Sequence, residues 1–146
     1  MIVLKYELEG RVPSKKNSKR IFRRYGKTIV LPSKLHEKWH KVCMAEIQLI
    51  GIPNVPIERV QLCKCIIYYP DHYRADNTNK VESVHDLLVD AKIIADDNFK
   101  VMPNTLQNGK YRKNLGGFEI YLTIDPKHPD NKDLDLDTLP IVERLS

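Results

Sequence analysis

The side chains best suited to chemistry are carboxylates gathered between positions 76 and 97: Asp76, Glu82, Asp86, Asp90, Asp96 and Asp97. Helical periodicity over 78–91 sorts them. With Asn79 set at about 0° and an advance of about 100° per residue, Glu82 falls near roughly 300°, Asp86 near 340° and Asp90 near 20°, whereas Val81, Val84, Leu87, Leu88 and Ala91 fall between roughly 80° and 200°. One face is therefore apolar and the other carries three acids in a row, with Asp76 just ahead of the helix. Like charges four residues apart destabilise a helix by a few tenths of a kcal/mol per pair. A solvated face usually interleaves lysines, which this one lacks. Asp96 and Asp97 follow the apolar Ile93-Ile94-Ala95, where the chain leaves buried structure. A hard cation such as Mg²⁺ needs only one or two carboxylates, completed by water and phosphate. Such a face is either a solvated surface or a metal site, and the Asp96-Asp97 pair favours the second.

The rest of the chain is basic. Of 24 Lys and Arg and 19 Asp and Glu, three bases and six acids lie from Asp125 onward, which leaves 21 bases and 13 acids, a formal charge of +8, in the first 124 residues. A body of that sign attracts polyanions, of which nucleic acid is the commonest in a cytoplasm. Bases are densest at Lys15, Lys16, Lys19 and Arg20, in a polar run of turn formers that starts at Gly10. A loop there can touch successive phosphates. A positive body with a local acidic pocket suits a metal-dependent nuclease: bases hold the backbone while a metal polarises the scissile phosphate and activates water.

The elements that must position these residues follow from periodicity. Residues 2–9 alternate apolar and polar, as a half-buried strand does. Residues 21–25 and 27–31 flank Gly26 like the arms of a hairpin. Ser33 can cap a helix whose apolar face is Leu35, Trp39, Val42, Cys43, Ile47 and Ile50, ended by Gly51. A β-prone run stopped by Pro70 is expected as the central strand, followed by the acidic helix and by strand pieces at 99–102, 109–113 and 117–124, with a turn around Asn108-Gly109. The expected fold is α+β (α/β): one small domain over 1–124, its mixed sheet covered by two helices on one face, then an acidic, loosely ordered C-terminal tail over 125–146. No apolar run approaches the roughly 18 residues of a membrane span. The N-terminal MIVLKYELEG has charges in its apolar stretch and no cleavage site, unlike a signal peptide. Cys43, Cys63 and Cys65, odd in number, are expected to be structural thiols in a reducing cytoplasm.

The stretches Asp76-Asn77-Thr78-Asn79-Lys80-Val81-Glu82-Ser83, Asp86-Leu87-Leu88-Val89-Asp90 and Asp96-Asp97-Asn98 resemble the core of the RusA family of Holliday junction resolvases. The loop Pro13-Ser14-Lys15-Lys16-Asn17-Ser18-Lys19-Arg20-Ile21 resembles the basic segment of the family's phage and prophage members, and the resemblance spans roughly residues 3–124. It implies a homodimer of small α/β subunits that binds four-way DNA junctions and, with Mg²⁺ (or Mn²⁺ in its place), cuts them by paired nicks. Carried over, the first Asp of the family pattern falls on Asp76, its Asn on Asn79 and its distal Asp on Asp97. Thr78 stands where a second Asp would be and Glu82 where a Lys would be. Glu82 shares the helix face of Asn79 and can replace the missing carboxylate, so the implied ligands are Asp76, Glu82, Asp96 and Asp97. The swap leaves the catalytic cation to Lys80 or Lys92.

Two other functions compete with an endodeoxyribonuclease of recombination and repair. One is a junction- or nucleic-acid-binding protein without nuclease activity, motivated by Thr78 and Glu82; the other is an unrelated basic binding domain whose acids are merely solvated. Smaller features have plainer roles: Asp71-His72 as a strand-end turn, His85 near roughly 240° as a boundary residue, Trp39 as core.

Overall fold

The computed structural model describes residues 1–14, 19–72 and 77–145, with the backbone alone at 19–22, 24 and 29–32. Asp76, Lys15 and Lys16 therefore lie outside the described residues. The strands are β1 (Ile2–Glu9), β2 (Lys19–Arg24), β3 (Lys27–Pro32), β4 (Leu62–Tyr69), β5 (Thr105–Tyr111), β6 (Gly117–Ile124) and β7 (Ile141–Arg144); the helices are α1 (Lys34–Ile50) and α2 (Asn77–Asp90).

The main sheet is mixed, in the order β5-β4-β6-β1-β7, and β2 and β3 form a separate two-stranded sheet. Among the described strands β4 and β5 are the one neighbouring pair that runs parallel, in register from Cys63↔Thr105 to Tyr69↔Tyr111. A parallel neighbour needs a crossover, and α2 is the helix in that connection. The acidic helix thus begins near the C-terminal ends of the two parallel strands, where open sheets of this kind commonly bind ligands.

Cross-strand partners share a face of the sheet. Leu4 and Cys63 both pair Leu122, and Leu8 and Ile67 both pair Phe118, so one buried face runs through all three central strands. Both helices lie on that face: Trp39 of α1 meets Phe118 edge-on at 6.3 Å, and His85 of α2 lies against Cys63. The opposite face carries Lys5, Glu7, Tyr68, Glu119 and Tyr121, with both phenols donating to the Glu119 carboxylate. This is a single small α+β domain with two helices on one face of a mixed sheet.

Ser33 caps α1 by accepting from the His36 N–H at 3.1 Å. Gly51 ends it at φ 121°, a conformation suited to glycine. The buried stripe of α1 is Trp39, Cys43 and Ile47, whereas Leu35, Val42 and Ile50, expected on it, are exposed.

Three expectations are corrected. Residues 99–102 form a turn, organised by the Asn98 side chain, which accepts from the N–H groups of Lys100 and Val101. Asn108-Gly109 lies within β5, whose seven residues are all exposed and so show no alternation of hydrophobicity. The stretch from Asp125 is tied down: Asn131 is buried and bonds both the N–H and the C=O of Arg59, Asn54 bonds the backbone of Asp133 and Asp135, and β7 pairs with β1. These anchors are single amide side chains without periodicity.

Among the described residues, no helix is long and apolar enough to cross a membrane. All three cysteines are free and buried, and burial pushes the Cys43 and Cys63 thiols up to about 12.

Candidate active site

The first turn of α2 is fastened to both parallel strands. Tyr69 of β4 donates to Asn77 Oδ1 at 2.5 Å, and Gln107 of β5 donates to Thr78 Oγ1 at 3.2 Å. At Gly109 a Cβ would come within 2.9 Å of the Tyr69 ring and 3.2 Å of Asn77 Oδ1, so the strand passes too close for a side chain. The expected apolar face of α2 is buried, and Lys80 and Ser83 are buried with it. Lys80 Nζ donates to the Val12 carbonyl at 2.7 Å and sits 5.2 Å from the centroid of the Tyr69 ring. Ser83 Oγ donates to the Pro13 carbonyl at 2.8 Å. Burial holds the Lys80 ammonium below its ordinary lysine range, nearby Arg11 adds to the effect, and Asp71 opposes it. One of the two candidate cations is thus engaged with the chain that leads into the basic loop.

The other candidate, Lys92, is exposed at the end of the helix. Lys92 N–H bonds Val89 O and Ile93 N–H bonds Leu88 O, the paired bonds of a Schellman ending, with Lys92 at φ 60° where glycine is usual. This turn sends Ile93 and Ile94 back into the core beside Ile57 and brings the chain to Asp96 and Asp97.

The expected carboxylates separate into groups. Glu82 is exposed on α2, with Asn79 and Asp86 half-buried on the same side. Asp97 acts on the same imidazole as Asp86 and Glu82: burial pulls His85 below its ordinary value, and Asp97, then Asp86, then Glu82 oppose the shift. His85 Nε2 lies 3.9 Å from Cys63 Sγ, so the ring reaches the sheet. Asp90 turns away to His40 of α1, at 2.7 Å. Asp96 is turned into its own loop, where its two oxygens accept from the Asp97 N–H at 2.7 Å and the Asn98 amide at 2.9 Å. It also lines a shallow depression of about 580 Å³ with Glu58, Lys100, Asp130 and Lys132.

Among the described residues no three His, Cys, Asp or Glu side chains close around an ion. A Mg²⁺ ion takes one or two carboxylates and fills the rest of its shell with water and phosphate. His85 is the residue that sequence reasoning undervalued. Its angle put it at the rim of the helix, and nothing in the chain revealed that Asp97 would return to it.

Of the basic loop, Lys19 and Arg20 open β2, described in backbone only. Arg23 and Lys27, both exposed, lie on the β2–β3 hairpin. Arg11, just before the loop, pairs with Asp71.

Compared with protein-family models and with curated proteins, the chain matches none.

Proposed function

We propose that this protein is a Mg²⁺-dependent endodeoxyribonuclease that resolves Holliday junctions and related branched DNA by paired nicks, acting as a homodimer. The observation that supports this reading best is that α2, which carries Asn79, Glu82 and Asp86 on one side, is bonded on its buried side through Lys80 and Ser83 to the carbonyls of Val12 and Pro13, just ahead of the basic run. Carboxylate chemistry and phosphate binding are thereby joined through α2. The resemblance of the 76–98 stretch to RusA resolvases points the same way.

In this reading Asp76, Glu82 and Asp97 hold the ion, which would supply polarisation of the scissile phosphate and a water of lowered pKa. Asn79, on the same helix face, orients the phosphate by hydrogen bonding. Lys15, Lys16, Lys19 and Arg20 grip the DNA backbone, and Lys80 fixes the start of their loop. Two subunits would bring two such sites to the near two-fold symmetry of a junction.

A second reading, a junction-binding protein that does not cut, is favoured by the engagement of Lys80 with Val12, which takes one cation away from the acids. One experiment separates them. Purified protein incubated with a synthetic four-way junction and a matched linear duplex, with Mg²⁺ or chelator, should nick the junction in opposed strands only when metal is present. Tight junction binding without nicking would establish the second reading.

A further inference from the structure

His72 and Tyr111 stack on each other at the end of the parallel strand pair. Their ring centroids are 4.0 Å apart and their planes 25° apart. Both are well exposed, Tyr111 at 50% of its surface. The stack is continuous with the candidate site: Tyr111 pairs with Tyr69, so it shares the α2 side of β5 with Gly109 and Gln107. Along that side Gln107 meets Thr78, Gly109 passes Asn77, and Tyr111 meets His72.

The loop after Tyr111 is held against the end of β4, with Arg112 N–H bonded to Tyr69 O and Asn114 N–H to Pro70 O. The surroundings are cationic. Lys110 and Lys113 are exposed on either side, and Arg11 lies next to His72 through its pair with Asp71. Arg112 is turned to the opposite face, its guanidinium 3.8 Å from the centroid of the Tyr68 ring.

A pair of stacked rings presents a flat π surface that a third ring can extend, and a nucleobase stacks on such a surface without sequence preference. The bases around it attract the phosphates that accompany a nucleobase. We propose that the His72–Tyr111 stack receives an unpaired base of DNA, so that this surface selects branched or interrupted DNA over continuous duplex. The inference rests on the proposed action on branched DNA and deepens it: phosphate contacts hold any duplex, whereas the stack rewards only a base that has left the helix.

The test uses the full chain in chelator, where no cutting occurs. Three labelled DNAs are compared by anisotropy: a continuous duplex, the same duplex with one bulged 2-aminopurine, and a four-way junction. The parent protein should prefer the bulged and four-way DNAs over duplex and quench the 2-aminopurine emission. Tyr111→Ala and His72→Ala should each cut that preference by about tenfold, leave duplex affinity and its salt dependence unchanged, and relieve the quenching. Tyr111→Phe should behave as the parent. Either alanine variant that melts like the parent yet keeps its preference within twofold overturns the inference, as does an absence of quenching by the parent. Discrimination in chelator without nicking in Mg²⁺ would retain the stack and discard the nuclease; nicking without quenching would do the opposite.

Discussion

The Lys80 ammonium lies 2.7 Å from the Val12 carbonyl oxygen, 68 residues away in the chain, so the acidic helix is bonded to the segment just ahead of the basic run at 15–20. A buried carbonyl that loses its donor costs about 1–3 kcal/mol. Lys80→Met, which keeps the aliphatic stem, should therefore lower the unfolding free energy by about 2 kcal/mol in urea titration. It should also weaken junction binding, since the loop loses an anchor. An unchanged denaturation midpoint would mean that the contact contributes nothing to the fold.

The carboxylates should divide by partner rather than by sequence position. Asp97→Asn and Glu82→Gln remove charge from the group around His85 and should abolish metal-dependent nicking while leaving junction affinity equal or tighter, because repulsion against phosphate falls. Asp76→Asn should behave likewise. Asp96→Asn should instead act on the turn, which it closes with two hydrogen bonds, and lower stability by about 1 kcal/mol with nicking retained. Single-turnover rates on a four-way junction, read beside thermal melts, distinguish the two classes. Loss of nicking in Asp96→Asn at full stability would put Asp96 among the ion ligands after all.

Lys92 occupies a left-handed conformation, φ 60°, that costs a non-glycine residue about 1 kcal/mol. Lys92→Gly should raise stability by up to about 1 kcal/mol, the relief being offset in part by the greater freedom of glycine in the unfolded chain. If Lys92 is the catalytic cation, the same variant should be more stable and inactive. If it is only a helix ending, nicking should persist.

The extent to which the sequence reveals this architecture depends on which interactions are periodic. The first strand and the apolar face of α2 follow from spacing, because each alternates between core and solvent, and the hairpin about Gly26 and the Ser33 cap follow from the turn and cap residues themselves. Lys80 and Ser83 do not: polar residues on a helix suggest solvent, and their burial depends on carbonyls of a distant segment. Strand β5 is hidden for a different reason. It is exposed throughout, and Gly109 is set by the close passage of Tyr69 and Asn77 rather than by a turn. Asn131, which bridges Arg59 and Asp125, likewise leaves no pattern in an otherwise polar stretch. In the candidate site the acidic face is legible, but the return of the chain past the turn at Lys92, which puts Asp97 among the charges that act on His85, has no periodic signature.

That return gives His85 a measurable signature in acid. Burial lowers the folded-state pKa of His85 below its ordinary 6.5, against the pull of Asp97, Asp86 and Glu82. Between the folded and unfolded values the unfolded chain binds a proton that the folded chain does not, so stability rises with pH there. Acidification should therefore erode stability as pH falls through about 6.5, and the loss should level off below the folded value. The chain has four other histidines. The informative quantity is thus the difference between the parent and His85→Gln across pH 5 to 8, about the range in which histidine changes charge. His85→Gln should have the shallower dependence, with its deficit relative to the parent shrinking as pH falls. Adding Asp97→Asn removes the largest opposing charge, so Asp97→Asn alone should steepen the parent's loss in acid and have no such effect in the His85→Gln background. Equal effects in both backgrounds would separate Asp97 from His85 and with it remove the main structural support for a shared carboxylate site.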